Sequence, residues 1–409
     1  MDIDTVNAII RNIELSSTGP IQGSEEWLEI RSIGANQRRG RIGGSEIAAL
    51  IGENPYKNAK ALMEVKLGHR KDKMADRLHC WFGLLFEEIA VKIFEQRYKT
   101  SIMCKNISLI DSKLPYSIFS PDGLCAIPLC PTTGKVLMDF SLLASLTDSK
   151  LNYVPMLIEI KCPLSRDLTR NANVPAYYVP QLQKGMYCID EVHASIFIDN
   201  CFRICSYEDL HVPHAYNTTL HRLDKAIASD REEINYGCIL FYGELPDSVD
   251  TRYIKRIKIS NGVAESYNDA DGSESFDLDS ECDMDDYTNA NNDICAYDFG
   301  ASSYTTVLNL LKNLRSNIYT VEYMDPEDII IHPDPSRNLL GIMCWKLFES
   351  TYTLVYKDET MIDRIVKSMH KYADGGYDGL VQHTHTNRVR KAKPPKKVDS
   401  DTDSFSFSE

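Results

Sequence analysis

From residue 78 to 98 the chain reads LHCWFGLLFEEIAVKIFEQRY, and Phe82, Leu85, Phe86, Ile89, Ile93 and Phe94 recur at intervals of three and four. That spacing predicts a helix with one apolar face. Glu87 falls at the edge of the apolar stripe, and Glu88 lies farther toward solvent. A different period governs LIEIKC at 157–162, where residues two apart share a side of a strand. Ile158 and Ile160 therefore face a core, while Glu159 and Lys161 project together from the other side. SIFSPDGLCAI at 117–127 holds two strand-like runs around Ser120-Pro121-Asp122-Gly123, a turn composition that sets Asp122 at the mouth of a hairpin. GGSEIAALIG at 43–52 predicts a glycine-rich turn, an N-cap at Ser45 and an apolar helix. In VPAYYVPQLQKGMYC, at 174–188, Gln181 and Lys184 share a helical face.

The remaining patterns sketch the organisation. Residues 1–20 suggest a short helix and linker, and 21–260 a core with an insertion at 128–155. TTLHRLDKAIASDREEINYG suggests helices, and FYGEL a strand after them. Residues 264–292 are polar and acidic and cannot bury enough apolar surface to offset the entropy of ordering, so a flexible loop is expected there. Residues 300–372 return to order, with a helix near 303–315 and a strand or helix pair around IMCWKLFESTYTLVYK, and pack on the core. The tail, 385–409, carries the basic run RVRKAKPPKK and is expected to be disordered.

Charge changes this picture less than its total suggests. The net charge is -14, unfavourable for a polyanionic partner. Ten acidic residues and no lysine or arginine lie between Glu265 and Asp286, however, and setting them aside leaves about -4. A weakly acidic body can still carry a local basic groove, and Arg31, Arg38, Arg39 and Arg41 are grouped near the glycine-rich turn. The 12 cysteines are scattered, without C-x-x-C pairs, which excludes a zinc ribbon or a clustered iron–sulfur site. No apolar run approaches the ~18 residues of a membrane span, and no secretory signal is visible. The chain reads as soluble and intracellular.

A charged pair on a largely apolar strand is costly unless something compensates it. Taken singly, Glu159–Lys161 reads as a surface ion pair and Asp122 as a turn residue. Together, Pro-Asp followed by a strand Glu-x-Lys is the PD-(D/E)XK signature of metal-dependent nucleases. Asp122 and Glu159 offer the oxygen ligands that Mg²⁺ requires. Lys161 could orient a metal-activated water and counter charge on a scissile phosphate. Glu87 is placed as an extra ligand, and free N–H groups at the 43–46 turn would suit a phosphate.

The ordered set of Trp27 and Arg31, GGSE at 43–46, Trp81 to Glu87, SPDGLC at 120–125, EIKCP at 159–163 and YYVPQLQ at 177–183 resembles the lambda-exonuclease, or YqaJ-type, viral recombinase nucleases. The likeness extends to the alkaline exonuclease-like proteins of large cytoplasmic DNA viruses, over roughly residues 25–210. It implies an α/β restriction-endonuclease-like core, a central mixed sheet flanked by helices, with insertions and a C-terminal extension. It implies two Mg²⁺ ions, replaceable by Mn²⁺, held by Glu87, Asp122, Glu159 and the Ile160 carbonyl. Lys161 would act on the water, and Gln181 would support the site. Ser45 and an arginine would hold the 5′-phosphate of a DNA end. The stretch NQRRGRI separates Arg31 from the GGSE turn, so Arg31 and Arg41 are both candidates. The implied reaction is 5′→3′ digestion of linear duplex DNA for viral recombination, replication or repair, in the host cytoplasm or nucleus. A homo-oligomer, trimeric in some relatives, and a single-strand annealing protein are the implied partners. An endonuclease on the same fold and a non-catalytic DNA-end-binding module are the alternatives.

Overall fold

In the computed structural model the described residues are 1–32, 39–70, 78–111, 113–139, 151–164, 174–210, 214–217, 222–225, 236–244, 255–260, 263–266, 294–300, 318–324 and 338–382. The periodic stretches form as their spacing predicts. Helix α1 (Ile3–Leu15) is capped by Asp2, whose carboxylate accepts the Thr5 N–H, and buries Val6, Ile10 and Ile13. Helices α2 (Glu25–Arg31), α3 (Ile47–Leu50) and α4 (Ala59–Lys66) follow, then α5 (Leu78–Tyr98). Lys99 takes a left-handed conformation, φ 51°, where α5 stops.

Strands β1 (Gly123–Pro128) and β2 (Tyr153–Lys161) pair antiparallel, with Gly123 opposite Ile158. The stretch read as an insertion joins them, and its residues 140–150 lie outside the described ones. Helix α6 (Val179–Cys188) then leads to β3 (Ala194–Cys205), which runs parallel to β2 with Glu159 beside Phe197. That β2–α6–β3 crossover is the usual way to join parallel neighbours.

Strands β4 (His214–Asn217) and β5 (Arg222–Lys225) form a small hairpin apart from the main sheet. The helices expected across 218–237 are corrected at Arg222–Lys225 by that hairpin pairing, a tertiary preference overriding helix propensity. Strand β6 (Tyr236–Gly243) takes in Phe241 to Gly243 of the strand read at FYGEL and replaces the helix end expected at Tyr236 and Gly237. The sheet grows through β7 (Lys255–Ser260), β8 (Val263–Ser266), β9 (Ile294–Asp298), β10 (Ile318–Met324) and the long β11 (Leu339–Tyr356). Its order is β1-β2-β3-β11-β9-β7-β8, with β6 joining β11 and β10 joining β6, and its pairings are mixed. The flexible loop expected over 264–292 is corrected at its start, where 264–266 pair with β7 as part of β8. Residues 267–292, the helix read near 303–315 and the 385–409 tail lie outside the described residues.

The sheet is covered on both faces. Phe82, Phe86, Ile89 and Phe94 of α5 pack with Ile158, Ile160, Ile196 and Ile198. On the opposite face, Val6 and Ile10 of α1 and Leu182 and Met186 of α6 pack with Leu124, Leu157 and Phe197. Alternate residues of β2 thus feed opposite cores, so Glu159 lies on the α1/α6 side. Helix α6 approaches closely because residue 185 is glycine: a Cβ there would meet Phe119 at 2.4 Å. Helix α7 (Glu359–Ala373) sets Ile365, Met369 and Tyr372 against Ile47, Leu62 and Met63. Among the described residues, no helix is long and apolar enough to cross a membrane.

Candidate active site

The acids and the lysine read from the sequence meet at the end of β1 and β2. Asp122 stands just before β1, and its carboxylate accepts the Ile160 N–H at 2.7 Å, taking the place of the next ladder bond after Gly123 and Ile158. The turn that carries it is pinned: the Trp27 indole donates to Ser120 Oγ at 3.1 Å, and Ser108 and Ser120 hydroxyls lie 2.7 Å apart. Glu159 is fully buried, and its Oε1 receives both Lys161 Nζ and Gln181 Nε2. Its Oε2 is buried with no hydrogen-bond partner. Lys161 Nζ also donates to the Ile160 carbonyl at 3.0 Å, lies 3.7 Å from Asp122 and sits 5.3 Å from the centre of the Tyr178 ring.

Burial pushes the Glu159 carboxyl up to about 7, with the neighbouring Asp122 charge in support and Lys161 and Gln181 in opposition. Half-buried Glu87 faces the same cluster from α5. Desolvation, then the charges of Asp122 and Glu159, push it up to about 8 against the pull of Lys161. The Lys161 ammonium is desolvated too, yet Glu159 and Asp122 outweigh that and hold it above its ordinary range. Glu88 lies apart, 3.7 Å from Lys105 near the surface. Three carboxylates therefore share one ammonium.

That imbalance bears on metal binding. Among the described residues, no three His, Cys, Asp or Glu side chains are posed to grip an ion as they stand. The donor chemistry fits one nevertheless. The Lys161 ammonium is held by Glu159 and the Ile160 carbonyl, with Asp122 near, so these oxygens already converge on positive charge. Glu159 Oε2 retains a buried, unused lone pair. Carboxylates and a carbonyl are the ligands a hard divalent cation takes.

The glycine-rich turn differs from its expected form. Gly43, not Ser45, holds the N-cap position of a short 3-10 turn, Gly44–Glu46, because the Glu46 carboxylate reaches back to the Gly43 N–H at 2.8 Å. Ser45 is exposed. Arg31 packs over Trp27 at 4.3 Å and pairs with Glu46 at 3.2 Å, and a Cβ on Gly43 would lie 2.9 Å from its guanidinium. Arg41 donates to the Ser117 carbonyl at 3.1 Å, and partial burial lowers its pKa. Trp27 thereby touches both Arg31 and the turn that carries Asp122. Arg39, expected to offer charge to a DNA backbone, is instead buried against Asp378 at 3.0 Å and the Tyr372 carbonyl. Arg38 lies outside the described residues.

Two polar residues of α6 serve as struts. Lys184 Nζ donates to the Ile42 and Ile118 carbonyls at 2.7 and 3.0 Å. Gln183 donates to the Tyr356 carbonyl at 2.9 Å and accepts the Asp358 N–H at 2.8 Å. Lys66 escaped the sequence reading. Its Nζ lies 2.8 Å from Glu46 and donates to the Arg31 and Arg41 carbonyls, each at 2.8 Å. The available signal was a lysine on the apolar stripe of α4, one turn from Leu62 and Met63.

Every motif from Trp27 to Gln183 lies in one continuous stretch that also matches a known family. Residues 26–191 match the YqaJ-like viral recombinase domain. The YqaJ-like stretch thus contains Asp122, Glu159, Lys161, Gln181 and Glu87, and the resemblance read from the ordered motifs is borne out there. A protein of African swine fever virus (strain Badajoz 1971 Vero-adapted) is 29% identical over 211 residues, 51% of this chain and 58% of the relative. Its counterpart from isolate Tick/Malawi/Lil 20-1/1983 is 29% identical over 214 residues, with the same coverage. The chain thus spans little more than half the length of these relatives. Two solved structures are also similar. LHK-Exo in complex with dAMP has 18% identity and a TM-score of 0.29, covering 43% of this chain and 73% of that one. The alkaline exonuclease LHK-Exo from Laribacter hongkongensis has 18% identity and a TM-score of 0.26, covering 40% and 70%.

Proposed function

We propose that this chain is a metal-dependent nuclease that hydrolyses DNA phosphodiester bonds, acting 5′→3′ as an exonuclease on linear duplex DNA. The observation that carries the reading is the gathering of buried Glu159 and of Asp122 around one ammonium, Lys161, with a Glu159 oxygen left unused and Glu87 within reach of their charges. Acids shifted strongly by burial and by a specific charged partner are candidates for a functional site. The match to the viral recombinase domain supports the same class.

Glu87, Asp122, Glu159 and the Ile160 carbonyl would hold Mg²⁺, two ions with the full set, or Mn²⁺ in its place. Such an ion supplies positive charge to the scissile phosphate and lowers the pKa of a bound water. Lys161, kept protonated by its acidic neighbours, counters charge that grows on the phosphate and orients the attacking water as a hydrogen-bond donor. Gln181 holds Glu159 in one orientation. Exposed Ser45 and the 43–46 turn, with Arg31 against Gly43, would receive the 5′-phosphate. Arg41 is the second candidate. The single strand left behind is what a single-strand annealing protein would take up.

The test offers linear 5′-phosphorylated duplex and covalently closed circular DNA, each in Mg²⁺ with and without chelator. Loss of the linear form alone, and only with free metal, is the expected result. Cutting of the circle moves the activity to an endonuclease, and no cutting of either with ends still bound leaves a binding module.

A further inference from the structure

Lys161 is the inner end of a line of aromatic rings that reaches the surface. Its Nζ lies 5.3 Å from the Tyr178 ring centre, Tyr178 and Tyr177 rings are 4.3 Å apart, and Tyr177 meets Tyr56 edge-on at 5.5 Å. The outermost ring, Tyr56, is 77% exposed. It is not on a loose loop. Asn54 Oδ1 accepts the N–H groups of Tyr56 and Lys57 at 2.8 and 3.0 Å, and Asn58 caps α4 by accepting the Ala61 N–H. One residue earlier, Glu53 is tied to Arg364 of α7 at 2.6 Å. The inner end is fixed as well, because Tyr178 packs on Phe197 of β3. A large apolar ring held rigidly in water loses little entropy when something covers it.

We propose that Tyr56, backed by Tyr177, is a base-stacking residue that holds an unpaired nucleobase of the DNA strand entering the site. Core packing does not need Tyr56, whose ring is mostly in solvent. Nucleobases offer a π-face at regular spacing, and stacking on aromatic side chains strengthens binding by roughly five- to 150-fold per base without regard to sequence. Lys161 at the inner end of the line supplies a cation toward which the accompanying phosphates can run. The inference rests on the nuclease reading only in taking DNA as the occupant.

Binding and cutting are measured separately. In chelator, a short fluorescent single-stranded oligodeoxynucleotide is titrated with the full chain and with Tyr56→Ala, Tyr56→Phe and Tyr177→Ala. Tyr56→Ala should weaken binding about tenfold, Tyr56→Phe should retain it, and Tyr177→Ala should fall between. An abasic lesion scanned through the oligonucleotide should weaken the parent at one position and leave Tyr56→Ala indifferent to it. Unchanged affinity in Tyr56→Ala, loss in Tyr56→Phe equal to that in Tyr56→Ala, or an equal abasic penalty in both proteins would overturn the stacking role. So would a parent chain that binds no single strand. Digestion of linear duplex in Mg²⁺ is scored independently. Tyrosine-dependent binding without digestion keeps the stacking residue and sinks the nuclease, whereas digestion with tyrosine-independent binding does the reverse.

Discussion

Two buried glutamates divide the YqaJ-like stretch into regions of opposite character. Glu46, behind the glycine-rich turn, faces two cations, Lys66 and Arg31, which together with the Gly43 N–H overcome its desolvation and hold its pKa well below the ordinary range. Glu159, at the strand ends, shares one ammonium with two more acids, and its pKa rises to about 7. Burial is nearly complete in both cases. The difference lies in the count of neighbours: a satisfied buried carboxylate braces a fold, and an under-neutralised one is a candidate ligand.

The sharpest way to break this contrast is to remove one lysine from each region. Lys161→Ala should lower turnover by on the order of 10²–10³-fold while leaving DNA affinity close to the parent's. It should lower the melting temperature less than Lys66→Ala does, because Glu159, already raised to about 7, can take up a proton. Single-turnover digestion with parallel binding and thermal melts measures all three, and a loss of melting temperature without loss of turnover would reverse the assignment. Lys66→Ala should act the other way. It removes one partner of a buried pair, which costs about 3–5 kcal/mol, so the loss should appear in denaturant unfolding before it appears in turnover per folded molecule.

Next in size is the response to metal. A cation bound at the strand ends should stabilise the chain by ~2.7 kcal/mol at a hundredfold excess over its dissociation constant. Glu159→Gln should erase that gain in Mg²⁺ melts, and Glu46→Gln should not. Glu87→Ala should raise the Mg²⁺ concentration for half-maximal activity; an unchanged requirement would remove Glu87 from the site.

The pH dependence follows from the same acids. Glu159 and Glu87 titrate near 7 and 8 in the folded chain, against an ordinary value of 4.5. The folded state therefore keeps protons that the unfolded chain has already released. Their contribution to metal-free stability is complete below about pH 4.5 and is lost as pH rises through about 7 and 8. Cation affinity should rise over that same window, because the ligands must deprotonate. Melts from pH 5 to 9 with and without Mg²⁺ should diverge, and Glu159→Gln should flatten the metal-free curve.

How far the site is legible in the sequence depends on how local each interaction is. Helix α5 and strand β2 are readable because a period of 3.6 or 2 is written into consecutive residues, and Glu159, Lys161 and Glu87 inherit their facing from it. Asp122 is readable because a Pro-Asp-Gly turn has few conformations. Lys66 and Glu46 meet across twenty positions through a loop, and nothing periodic joins them. The bracing roles of Lys184 and Gln183 are illegible for the same reason: their partners, Ile42, Ile118, Tyr356 and the Asp358 N–H, come from far along the chain.

Strand β11 has a consequence for how the protein is made. It covers β3 from Cys344 opposite Cys205 to Tyr356 opposite Ala194, although it lies more than a hundred residues downstream of the family match. On a ribosome, the YqaJ-like stretch emerges first and must wait with the β3 edge bare, a ready template for pairing with another chain. A fragment ending at residue 210 should therefore precipitate or bind chaperones, though it retains the acids and the lysine of the site. Strand β11, the last long strand among the described residues, joins the two halves of the sheet, so the limit of the recognisable domain is not the limit of what can fold.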